Sequence, residues 1–96
     1  MNTLIHEFLA EVTDPDGHVY LARAIGSPRR TGIWEGWLEF RPRGGGGQVR
    51  RTAVETTQPN LEAMRYWASG LEPVYLEGAL ERAIAGRRSD SAASSR

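Results

Sequence analysis

The chain contains neither cysteine nor lysine. Without cysteine there is no disulfide framework and no thiol chemistry. No apolar run approaches the ~18 residues of a membrane span. The opening stretch MNTLIHEFLAEV has no basic n-region, and Glu7 and Glu11 break its apolar character, which argues against an export signal. The expected compartment is therefore the cytoplasm. Histidine is scarce too: His6 and His18 are the only two, with no H-x-x-x-H spacing. With no cysteine to help them, they make a zinc site an unpromising reading. No metal and no cofactor is expected.

What is present is ordinary for a globular chain. Apolar residues make up 40% and charged residues 25% of 96 positions, enough for one domain and too little length for two. The formal charge is zero but unevenly spread. Residues 1–22 carry Glu7, Glu11, Asp14 and Asp16 and no base, whereas residues 23–51 carry seven arginines against Glu35 and Glu39. The middle third is thus suited to an anion or an acidic partner. All twelve basic residues are arginine. A GC-rich genome accounts for that without selection; bidentate anion binding is the sharper explanation.

The first half reads as strands. In HEFLAEVT, residues alternate, with Phe8, Ala10 and Val12 on one face. DPDG at 14–17 is a hairpin turn: Pro15 presets a turn dihedral, Asp14 can bond the turn amides and Gly17 can take positive φ. It lacks the further carboxylates of a calcium loop. HVYLARAI is the return strand, and GSPRRTG at 26–32 is a second connection. IWEGWLEFRP is the third strand. Trp34, Gly36, Leu38 and Phe40 share one face; Glu35, Trp37, Glu39 and Arg41 share the other. Gly36 leaves a gap that suits a bulge or a close-packed helix. RGGGGQ is a loop without the strand, lysine and helix of a phosphate loop. VRRTAVETT is a fourth strand, poor in large apolar residues and expected at an edge.

The period changes near Pro59. Asn60 is an expected N-cap with Glu62 in the first turn. Leu61, Met64, Trp67, Ala68 and Leu71 follow at helical spacing, and Gly70 is expected just past the helix end. Pro73 suits the start of a second helix. Its stripe is Leu76, Ala79, Leu80, Ala83 and Ile84, and Gly86 is expected to close it. The expected fold is α+β: a four-stranded antiparallel meander followed by two amphipathic helices packed on one sheet face. Residues 1–86 form the single domain, with Trp34, Leu38, Phe40, Met64, Leu76 and Leu80 in one core. Residues 87–96 form a disordered tail.

The stretches WEGWLEF, ETTQPN and YWASGLEPVYLEGALERA resemble those of a family of small bacterial proteins of unknown function. The similarity spans roughly residues 18–86. It implies a bacterial, cytoplasmic protein of one compact domain. It implies no activity, cofactor, partner or catalytic residue.

Chemistry has little to rest on. No Ser–His–acid arrangement is legible, and the paired carboxylates Glu35 and Glu39 fall on an exposed strand face, so an enzyme is not expected. TTQPN before a helix could attract an anion, though capping and turn chemistry is the simpler and favoured explanation. Trp37 is the residue of interest, since alternation puts it opposite Trp34 and among charges. Leu9, Leu21 and Val19 could cover it; a partner or a second copy could; or a ligand or nucleobase could stack on it. The candidate interaction surface is Trp37 with Arg41, Arg43, Arg50 and Arg51, because tryptophan and arginine anchor interfaces. The leading expectation is a small interaction module binding a protein partner or itself. A nucleic-acid-binding domain using an aromatic and arginine sheet surface is the alternative, weakened by the neutral charge. A small enzyme without a recognisable motif comes third.

Overall fold

The computed structural model describes residues 2–44 and 47–94, with side chains as far as residue 86. Five strands are followed by two helices: β1 (Thr3–Thr13), β2 (Val19–Pro28), β3 (Trp34–Pro42), β4 (Arg50–Arg51), β5 (Thr56–Gln58), α1 (Leu61–Ser69) and α2 (Pro73–Ser94). The sheet runs β1-β2-β3-β4, all antiparallel, with β5 also on β3. The expected fourth strand is therefore present in two pieces. Its ladder breaks over residues 52–55, where Thr52 N–H to Leu38 O (2.9 Å), Leu38 N–H to Thr52 Oγ1 (3.0 Å) and Glu55 N–H to Gly36 O (2.8 Å) tie it to β3.

Alternation decides the two sheet faces. Val12, Tyr20, Ala22, Ala24, Leu38 and Phe40 point inward and form one apolar cluster with Ala68, Leu76, Ala79 and Leu80 of the helices. Leu38, Phe40, Met64, Leu76 and Leu80 are buried as expected. Trp34 departs from the expectation: it is half-buried at the end of the sheet, paired with Pro28 and Gln58, and outside that cluster.

The reason lies beside it. Gly26 and Gly36 are register partners on β2 and β3, so the inner face has two adjacent positions without side chains. A Cβ on Gly26 would lie 3.0 Å from Ile5 Cδ1 and 3.3 Å from the Trp34 ring. One on Gly36 would lie 2.6 Å from Met64 Sδ. The indole and the α1 methionine thus fill the space that the glycines vacate. Gly26, expected as punctuation in a loop, instead lies within a strand.

β1 is less regular than its alternation suggests. Its pairing with β2 shifts between Leu4 and His6 and again between Glu7 and Glu11. The second bulge breaks the Phe8–Ala10–Val12 face: Ala10 is exposed and Leu9 is 99% exposed. The DPDG turn forms as expected, with Gly17 at φ 89° and its N–H donating to Asp14 O at 3.0 Å.

Asn60 caps α1 through its side chain, which accepts from Ala63 N–H at 2.8 Å. Gly70 closes that helix in a right-handed conformation. α2 begins at Pro73 and its helical backbone passes Gly78 and Gly86 to Ser94, each interior glycine costing only ~1 kcal/mol. The side chains after residue 86 and the last two residues lie outside the described residues, so of the stretch expected as a disordered tail the helical backbone of residues 87–94 is what is described. No helix among the described residues is long and apolar enough to cross a membrane.

Candidate functional site

Strand alternation places Trp37 on the outer face, opposite the helices, as expected, but the indole is not an exposed anchor. It is 5% exposed, beside its register partner Ile25 at 8%. One ring face is covered by Arg51, whose guanidinium carbon lies 4.2 Å from the ring centroid. The register explains the contact. Arg51 pairs with Glu39, two residues along β3 from Trp37, so the two side chains are diagonal neighbours on one face. Leu9 and Leu21, expected as cover, are 99% and 42% exposed.

The five candidate residues do not form one patch. Trp37, Arg41 and Arg51 share the outer face. Arg43 follows β3 and reaches back to Glu11 at 2.6 Å. Arg50 pairs with Phe40 and so belongs to the inner side; its Nε is buried and meets no partner among the described residues.

Around Trp37 the charges are largely matched. Glu39 accepts from Arg23 Nη2 at 2.8 Å and Arg41 Nε at 3.1 Å. Burial works to raise the Glu39 pKa, but the hydrogen bonds and charges of the two arginines prevail and hold it below the usual carboxylate value. Glu35 meets Arg29 at 3.5 Å. Neither carboxylate is free for acid–base work. Of the seven arginines between positions 23 and 51, Arg30, Arg50 and Arg51 form no ion pair among the described residues.

The hairpin turn gathers Asp14, Asp16 and His18, with potential ligand atoms within 4.8 Å of one another. Asp14 is already engaged. Its Oδ1 accepts from the Asp16 and His18 amides, both at 2.9 Å. Its Oδ2 faces His18 Nδ1 at 3.2 Å and Tyr20 Oη at 3.5 Å. Burial favours the neutral acid, yet the hydrogen bonds from His18 and Asp16 outweigh it and lower the pKa. The cluster is explained as the lock of a turn.

Sequence reasoning missed one cluster. Glu55 Oε1 accepts from the Tyr75 hydroxyl and from Arg82 Nη2, the latter at 2.6 Å. Arg82 also lies over the Tyr75 ring, 5.5 Å from its centroid. Burial, then the hydrogen bond and charge of Glu55, raise the tyrosine pKa. Partners 20 and 27 residues apart leave no local spacing to find them by. This cluster flanks a cleft of about 540 Å³ between β4 and α2, to which Arg50 and Arg51 also contribute. A second cleft of similar volume lies between the hairpin turn and α2, with Asp14, Tyr20, Arg50 and Glu81 in its walls. Compared with protein-family models, with curated proteins and with solved structures, the chain matches none, so its own geometry carries the reading of its function.

Proposed function

We propose that this chain is a small protein-interaction module that meets another chain, a partner or a second copy, with the outer face of its sheet. One observation carries the reading: both helices pack on the inner face, while outward Leu4 and Leu21 remain exposed beside the ordered Arg23–Glu39–Arg41 group. Exposed apolar side chains next to fixed charges are the makings of a specific contact. Trp37 supports this face from beneath by holding Arg51 in place. A bacterial and cytoplasmic setting belongs to the same proposal. Nucleic-acid binding fares less well, because Arg51 already occupies a face of the Trp37 ring and the other outer-face arginines hold carboxylates.

The test is a charge placed on the apolar part of the face. Leu21→Glu is compared with wild type by sedimentation across a range of concentrations and by cross-linking in the native host. Loss of a self-association, or loss of a cross-linked partner, supports the proposal. A wild type that stays monomeric and gives the same cross-links as the variant ends it.

A further inference from the structure

The register sets four charged residues in one row across the outer face. Glu7 of β1 pairs with Arg23 of β2, Arg23 with Glu39 of β3, and Glu39 with Arg51 of β4. The signs alternate from edge to edge: minus, plus, minus, plus. The two inner members meet each other, Arg23 Nη2 to Glu39 Oε1 at 2.8 Å. The outer two, Glu7 and Arg51, are exposed and form no ion pair among the described residues. They stand three strand spacings apart, about 14 Å, too far to reach one another. Arg51 is nonetheless held in place by the Trp37 ring beneath it.

A row that alternates in this way is complementary to itself read backwards. Given the outer-face contact proposed above, on which this rests, we infer that the partner is a second copy of the chain, related by a two-fold axis parallel to the strands and midway between β2 and β3. That axis lays β1 of one copy over β4 of the other, and β2 over β3. Glu7 then meets Arg51 of the second copy, and the Arg23–Glu39 pair meets the same pair reversed. Each contact occurs twice, as an isologous interface requires. A two-fold axis across the strands would instead stack Glu7 on Glu7 and Arg23 on Arg23, and like charges so placed repel. Long side chains suit the gap, since aligned sheets pack about 10 Å apart. Leu4 and Leu21, exposed to either side of the row, supply the apolar area that the charges lack.

The full chain is followed by sedimentation across a wide range of concentrations at low ionic strength. Wild type should dimerise, and salt should weaken the dimer. Glu7→Arg and Arg51→Glu each reverse one end of the row and set like charges together at both ends of the dimer. Either variant alone should dimerise about tenfold more weakly. Mixed in equal amounts, the two should form a heterodimer about as tight as wild type, because each offers the charge that the other lacks. Contacts within one molecule give no such rescue, the two positions lying at opposite edges. Glu7 lies exposed on an edge strand, so Glu7→Arg keeps the test open if Arg51→Glu fails to fold: its residual association should strengthen with salt, and a salt dependence like that of wild type overturns the pairing. A dimer that both variants leave intact, or that mixing does not restore, overturns the two-fold arrangement, and Leu21→Glu then shows whether the outer face is used at all. A wild type that is monomeric throughout overturns the second copy, while cross-linking in the native host decides separately whether the face takes a different chain.

Discussion

Arg51 of the edge strand lies over the ring of Trp37, 4.2 Å from the guanidinium carbon to the ring centroid, and together with Ile25 it marks a second, smaller layer on the sheet face away from the helices. The layer explains how a tryptophan flanked by Gly36 and Leu38, and two residues from Glu35 and Glu39 on its own face, becomes nearly inaccessible.

Trp37→Ala is therefore expected to cost ~3–5 kcal/mol, the range for a buried large aromatic. Trp34→Ala should cost less, since Trp34 is half-buried. Urea unfolding of both variants checks the order, and a larger loss at Trp34 contradicts it. A double-mutant cycle of Trp37→Leu with Arg51→Gln should give a coupling of ~0.5–2 kcal/mol.

The paired glycines predict a position-dependent penalty. Gly36→Val places carbon where Met64 Sδ already lies, 2.6 Å from the new Cβ, and overpacking of this kind costs ~1–3 kcal/mol. Gly44→Val, with nothing within 4 Å, should leave the thermal midpoint almost unchanged. Equal effects at the two positions would show that α1 yields easily above β3.

Acid titration tests the turn lock. The folded pKa of Asp14 lies below its ordinary value of 3.8, so the ionised carboxylate stabilises the fold above that value. This stabilisation is lost as pH falls through the lower, folded pKa. Asp14→Asn should lower the thermal midpoint clearly at pH 7, and the gap from wild type should shrink progressively as pH drops below 3.8. A gap independent of pH would assign the effect to shape alone.

Asn60→Ala removes the acceptor for Ala63 N–H and should cost ~1 kcal/mol, whereas Asn60→Asp should retain most of the stability. Denaturant midpoints of the two variants decide it.

The change from period 2 to helical spacing near Pro59 was enough to find the sheet, the two helices and the inner-face core, because burial on one side imposes a pattern on each element by itself. Trp37 shows where such reasoning stops. Its face followed from alternation, but its cover comes from Arg51, and which residue sits diagonal to it depends on the register of β4. That register is settled by tertiary contacts across a glycine-rich loop, and a shift of one residue would exchange Arg50 for Arg51 on the outer face. The Glu55–Tyr75–Arg82 cluster was illegible for the same reason, being assembled from a strand break and a helix far along the chain.

The break in the ladder over residues 52–55 also bears on how the protein keeps to itself when crowded. A sheet edge is a template for unwanted addition of strands, and short or bulged edges frustrate it. Here one edge is divided into pieces of two and three residues, and the other, β1, carries two register shifts within eleven. Neither offers an uninterrupted row of amides and carbonyls. Runaway polymerisation through the edges is thereby discouraged at both sides, and a visiting chain is left to approach the sheet broadside.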